Sequence, residues 1–391
     1  MSAPQQPPRG PAPYGQPGPG SQPGPNGQPG MPNPNPYGQP APAPHQGWPN
    51  PYQPGPYAQP MPYGMYPPDP RWRPSPLPIE SVEYQQLLRG PRYRGWRPVL
   101  ALLLCLVFAL GAQVVLGIIL AVIVIAAGGD LNSLLDTLSS KSMGPLAFGY
   151  VIAGLISLIP SAMFANWIVH GIRPRFLSSV AGGFRWGWLL RCLMITVPLF
   201  VIYLGLQFLV GWDYGPRPQH WGVLLIMVVI AIPFQSAGEE YAFRGFILQN
   251  VGAWFRNPKV GLVVAMVPSI VLFALAHGSF DPWTFLDLAI FAASSCILVW
   301  RTGGLEASIA LHATNNVAIM IATLLFGGWA AAFVSSDTHS SPLAPLVTLV
   351  VNGVAVVLIL WMAKRRRLQR TYQPLPAQQP APMIMQQPAG Y

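Results

Sequence analysis

From residue 98 onward the sequence is a series of long apolar runs broken by short polar connections. Crossing a bilayer core as a helix takes roughly 20 mostly apolar residues. Eight runs meet that length, at about 98–127, 145–170, 187–211, 222–250, 260–277, 283–300, 305–327 and 343–363. The pattern therefore predicts an all-α, polytopic membrane helical bundle of about eight transmembrane helices. The fourth run is long for one crossing and contains Pro233, so a kink or break is expected there, followed by a second segment.

Before residue 80 the pattern disappears. That stretch holds 28 of the chain's 47 prolines, many Gly and Gln, and almost no Val, Ile or Leu. It cannot bury enough apolar surface to offset its ordering entropy, which predicts a disordered Pro/Gly/Gln-rich N-terminal tail. Tyr14-Gly15-Gln16-Pro17 recurs as Tyr37-Gly38-Gln39-Pro40. The tail reads as a tether, or as a docking segment for a cytoplasmic partner that recognises polyproline. A cleavable leader is not expected at so polar an N-terminus. The resulting organisation is a tail over 1–90, N-terminal membrane helices over 91–215, and a polar-residue-bearing core over 216–330. A last span with a basic end follows over 331–370, then a disordered tail over 371–391.

Only 9% of the 391 residues are charged, too few to coat a water-facing surface. The net charge of +10 does not point to nucleic acid, because the basic residues sit at the ends of apolar runs. Arg92, Arg94 and Arg97 precede the first run, and Arg173, Arg175 and Arg185 separate the second and third. Arg256 and Lys259 follow the fourth, Arg301 the sixth, and Lys364 to Arg367 the eighth. The alternate connections carry only Lys141 and Arg217. This asymmetry predicts a multi-pass protein of the cell membrane with both termini cytoplasmic. Cys105, Cys192 and Cys296 are scattered within apolar runs and read as packing residues.

Against this background a few polar residues stand out. Glu239 and Glu240 are adjacent inside an apolar stretch, where a charge is costly and usually faces a protein or water cavity. Arg244 lies four residues after Glu240, on the same helical face, which permits an ion pair. His277 closes the fifth run, and His312 lies inside the seventh with Asn316 one turn later. His45, His220 and His339 lie in the tail or outer loops, and His170 ends a span at the expected interface.

Two chemistries fit these residue types. Glu239 with His277 could deprotonate a water while His312 and Asn316 present hydrogen-bond donors to a tetrahedral oxygen. Arg244 would then fix Glu240. Alternatively Glu239, His277 and His312 could ligate zinc, with one position left for water. The compact His-Glu-x-x-His signature is absent, and so are a Ser or Cys hydrolase elbow and a phosphate-binding glycine loop. Gly303-Gly304 reads as a turn.

At these positions the chain resembles the CPBP family of intramembrane proteases, which includes enzymes that trim prenylated CAAX proteins. Its Glu-Glu-x-x-x-Arg motif reads Glu239-Glu240-Tyr241-Ala242-Phe243-Arg244, followed by Gly245. Phe-x-x-x-His reads Phe273-Ala274-Leu275-Ala276-His277, and His-x-x-x-Asn reads His312-Ala313-Thr314-Asn315-Asn316. Arg301 to Leu305 looks like the family's approach to the third motif, whereas Ala292-Ala293-Ser294-Ser295 stands where spaced glycines are often found. The resemblance covers about residues 220–325. It implies a helical intramembrane endopeptidase acting on a membrane-bound protein or peptide, with Glu239 and His277 activating water and His312 and Asn316 assisting; it leaves metal dependence open. A non-catalytic membrane scaffold or maturation factor that keeps the motif as a buried polar network is the main alternative. A proton-coupled transporter would favour repeated halves, which this sequence lacks.

Overall fold

The structure, a computed structural model, describes residues 75–139 and 143–374. The expectations for the Pro-rich tail before residue 75, for Lys141, and for the C-terminal tail beyond 374 lie outside the described residues.

Among the described residues eight helical stretches are long and apolar enough to cross a membrane, and their limits follow the eight apolar runs closely. The first is α1, Arg97–Ala126. A short helix α2, Leu131–Ser139, precedes the second span, which is built from α3, Pro145–Ile156, and α4, Leu158–His170. The one-turn helix α5, Arg175–Ser178, then leads to α6, Trp186–Val210. The fourth span joins α7, Trp221–Glu239, a π-helical segment, Glu240–Ile247, and α8, Leu248–Gly252. The last four are α9, Pro258–Ala276; α10, Pro282–Thr302; α11, Glu306–Phe326; and α12, Leu343–Arg365.

Burial separates axis from periphery. Over their most apolar windows, 56% of α11 is buried but only 6% of α1. A helix left to lipid can be apolar all round, whereas a central one needs small residues to let neighbours approach. Accordingly α11 buries Ala307, Ala310 and Ala313 at a spacing of three, and packs against α6, α7 and α10. The Ala292 to Cys296 stretch of α10 is likewise well buried against α9 and α12, apart from Ala293. Between α3 and α7 the approach is closer still. A Cβ on Gly238 would stand 2.1 Å from the Leu155 carbonyl oxygen, so only glycine fits immediately before Glu239.

No break occurs at Pro233. Helical structure continues past it, and the winding changes at Glu240 instead, seven residues later. Proline removes one donor but need not end a span whose neighbours satisfy the freed carbonyl.

The basic connections are tied together at one end of the bundle. Arg185 donates through Nε to Glu306 Oε1 at 2.9 Å and through Nη2 to Oε2 at 2.6 Å, a forked pair with Glu306 fully buried. Its Nη1 reaches the carbonyls of Thr302 and Gln369, so three chain segments meet on one guanidinium. Gly303 turns with φ +69 beneath this junction, and a Cβ there would strike the Arg370 carbonyl oxygen at 2.4 Å.

Two stretches read as tail are part of this face. Strand β1, Val82–Glu83, pairs antiparallel with β2, Thr371–Tyr372. Beyond it Tyr84 and Leu87 are fully buried, and the Tyr84 hydroxyl donates to the Leu177 carbonyl. Gln86 and Arg89 donate to the carbonyls of Phe255 and Ala253 in the connection after α8. The tail composition ends near Leu77, and the apolar residues after it suffice to anchor the segment. His170 also differs from expectation. It ends α4 as expected, but it is also buried by protein, because α4 packs against the fourth span, where its Nε2 lies 3.1 Å from Asn250 Oδ1. The cysteines are free, with Cys192 and Cys296 buried.

Candidate active site

The change of winding at Glu240 sets the geometry of the carboxylate pair. π-helical turns are uncommon and concentrate at functional sites. Glu239 ends α7, and Glu240 opens the π-segment. Glu240 and Arg244 are both fully buried, with Arg244 Nη1 3.1 Å from Glu240 Oε1. That contact is one of charge rather than a well-directed hydrogen bond, since none of the Arg244 nitrogens has a hydrogen-bond partner. The guanidinium instead lies over the Phe273 ring, its Cζ 3.9 Å from the centroid. The aromatic face supplies the negative potential that the missing acceptors do not. Phe273 opens the second motif and thereby serves the first.

His312 stands between the two glutamates. Its Nδ1 lies 2.8 Å from Glu240 Oε1, and its Nε2 3.5 Å from Glu239 Oε2. A carboxylate paired with arginine can only accept, so the Nδ1 proton points to Glu240 and Nε2 is turned toward Glu239. Phe273 and Phe291 close on the imidazole edge-to-face, at 5.9 and 5.0 Å between centroids.

Glu239 is asymmetric. Its Oε1 accepts from Gln235 Nε2 at 2.6 Å, whereas its buried Oε2 has no hydrogen-bond partner. Gln235 sits one turn earlier on the same helix, and its own oxygen lies 3.4 Å from Asn316 Nδ2. Ser236 Oγ is at the same distance from that amide nitrogen, while the Asn316 oxygen accepts from Asn315 Nδ2 at 3.0 Å. Gln235 was not anticipated from the sequence, although the four-residue spacing that linked Glu240 to Arg244 applies equally to it and Glu239.

The structure thus brings Glu239, Glu240, Arg244, His312 and Asn316 together around α7 and α11. His277 occupies a different position from the one expected. It caps α9, is half-buried, and its Nδ1 lies 2.8 Å from the Phe273 carbonyl oxygen. Its ring packs on Phe273 at 4.7 Å, on the phenyl group that also meets His312. Among the described residues no ion pair links His277 to Glu239, and no three His, Cys, Asp or Glu side chains form a group that could hold a metal ion. His312 has committed one nitrogen to Glu240, and His277 does not converge on the remaining Glu239–His312 pair. The three-ligand zinc arrangement of Glu239, His277 and His312 therefore does not fit this geometry.

Two further acids escaped the sequence reading. Glu306 opens α11 and is neutralised by Arg185. Asp287 lies within α10, one turn before Phe291, and its buried Oδ1 has no partner. A search for charges within apolar runs, applied to the sixth run as it was to the fourth, finds Asp287.

Comparison with known proteins agrees with the motifs. Residues 220–318 match the family model described as Type II CAAX prenyl endopeptidase Rce1-like. The chain is also 28% identical over 153 residues to the uncharacterized protein YyaK of Bacillus subtilis (strain 168), an alignment covering 37% of this chain and 50% of that protein. The chain thus spans about half the length of the curated relative it matches. No solved structure matches. The carboxylate pair, both histidines and Asn316 all lie within the matched residues, and the resemblance drawn from the three motifs stands.

Proposed function

We propose that the chain is an intramembrane endopeptidase that hydrolyses a peptide bond of a membrane-associated, lipidated protein or peptide. One observation carries this reading: a buried, unpartnered oxygen of Glu239 faces an imidazole nitrogen of His312 inside a lipid-spanning bundle. A polar atom left unsatisfied in a native interior is costly, and a reacting water is one occupant that would satisfy it.

Glu239 Oε2 acts as the general base. It takes a proton from a water that also touches His312 Nε2, while Gln235 holds the other carboxylate oxygen still. The hydroxide oxygen bonds to the carbonyl carbon, and the carbonyl electrons move onto oxygen. Asn316, whose amide nitrogen meets its partners at 3.4 Å, turns that nitrogen to the oxyanion. Collapse of the intermediate breaks the C–N bond, and Glu239 returns its proton to the leaving amine. Glu240 and Arg244 keep His312 oriented. His277, at the rim beside Phe273, meets the substrate backbone rather than the attacking water. No step is routed through a metal. The basic face is cytoplasmic, the membrane is the cell membrane, and the Pro-rich tail is the segment that recruits a cytoplasmic partner.

A scaffold or maturation role is the second reading, favoured by the way Arg244, Glu240 and His312 already form a closed structural chain. Proteoliposomes holding the full chain, offered farnesylated, acylated and single-span peptides, separate the two. Mass spectrometry is expected to detect cleavage of a lipidated class. His312→Ala is expected to abolish it, and His277→Ala to lower it by about 10²-fold. Intact peptides in every arm, from protein that unfolds cooperatively, would favour the scaffold.

Gln235 supplies a finer test. Gln235→Leu removes the 2.6 Å bond to Glu239 without adding charge. Cleavage is expected to lose about tenfold in kcat with KM unchanged, since a bond of this kind contributes ~1–3 kcal/mol. An equal rise in KM would place Gln235 in substrate binding instead.

A further inference from the structure

The connection after α12 builds a second polar site, remote from the glutamates. The helix ends at Arg365, and Arg367 adopts a left-handed conformation at φ +50. Leu368 N then bonds back to the Ala363 carbonyl, closing a Schellman-type turn. The chain is thereby sent back across the end of α10, where β2 fixes it and Arg185 holds the Gln369 carbonyl. This places Arg370 beside Arg301, and both guanidiniums lie over the Trp300 indole, at 5.1 and 5.2 Å from its centroid.

Between the ends of α10 and α12 lies a cavity of about 360 Å³. Arg301, Lys364 and Arg370 line it on the polar side, with Leu360, Trp361 and Ala363 on the apolar side. Glu83 is the one carboxylate paired nearby, and it takes Arg370 Nη2 and the Trp300 indole N–H. Arg370 Nε remains buried without a partner, and neither Arg301 nor Lys364 has an ion pair among the described residues. Three cations are thus held together against one carboxylate, at the level where a membrane helix ends. Ordinary charge asymmetry between loops explains basic residues on this face, but not a cavity that gathers them over an apolar wall.

We infer that this cavity binds the phosphate of an anionic phospholipid. Arg301, Lys364 and Arg370 receive the headgroup, and an acyl chain descends along Leu360 and the 55% exposed Trp361. A phosphate supplies acceptors for the free donors of all three cations, and the apolar wall selects a lipid over a soluble anion.

Native mass spectrometry of the detergent-purified full chain tests this. The probes are dioleoylphosphatidylglycerol, dioleoylphosphatidylcholine and glycerol 3-phosphate. Phosphatidylglycerol is expected to bind, and to weaken about fivefold for each cation removed, hence about 25-fold in Arg301→Gln/Lys364→Gln. Arg173→Gln/Arg256→Gln removes the same charge from exposed positions of the other basic connections, and is expected to change binding less than threefold. Equal weakening in both double variants, or equal binding of phosphatidylcholine, would overturn the site by showing a diffuse or unselective attraction. Glycerol 3-phosphate binding as tightly as the lipid would overturn the lipid assignment. Thermal unfolding without lipid checks the fold, and Lys364→Gln alone carries the same comparison at about fivefold should the double variant fail to fold.

Discussion

Glu239→Gln is expected to lower kcat for a cleaved membrane peptide by about 10²–10⁴-fold while leaving thermal unfolding in detergent nearly unchanged. The side chains have the same shape, and the amide oxygen can still accept from Gln235 Nε2. What is lost is the ability to accept a proton at the position of Oε2, the atom that has no structural partner to lose. Glu240→Gln is the informative contrast, because Glu240 is engaged by both Arg244 and His312. That substitution is expected to lower stability as well as rate. Single-turnover cleavage with parallel unfolding curves measures both. A Glu239→Gln protein that cleaves at the wild-type rate would remove Glu239 from the chemistry.

Arg244→Met carries the largest expected effect on stability. The guanidinium is fully buried, pairs with Glu240 and lies on Phe273, so its removal leaves a buried carboxylate without its cation. Breaking a buried pair from one side costs about 3–5 kcal/mol, whereas removing both charges can approach neutrality. Glu240→Gln/Arg244→Met is therefore expected to recover most of the loss, with a coupling energy well above the additive value. Unfolding of the four proteins of this cycle in mixed detergent checks it. Strict additivity would mean that the two charges act independently despite their 3.1 Å contact.

The spans were legible because lipid imposes a simple rule of length and apolarity, and the limits of α3–α4 and α12 follow directly from it. The carboxylate and histidine motifs were legible because charge inside such a run is rare. Their pairing was not. The reading joined Glu239 to His277, but the structure sets His312 against both glutamates, an arrangement that depends on how α7 and α11 cross and on the π-helical winding after Glu239. No local pattern encodes that crossing, just as none announces the close approach of α3 to α7 that Gly238 permits. Gln235 was passed over because an amide is less conspicuous than a charge. The strands were hidden for another reason: two residues near each end of the chain carry too little signal to announce a partner almost 290 positions away.

That small ladder constrains the threading of the whole molecule. Val82 comes before the first crossing and Tyr372 after the last, yet the two are directly paired. Backbone hydrogen bonds reach only about 3 Å, a tenth of a hydrocarbon core of about 30 Å. Partners this close must share one aqueous compartment, so the number of passages between them has to be even, whatever sign of charge lines either face.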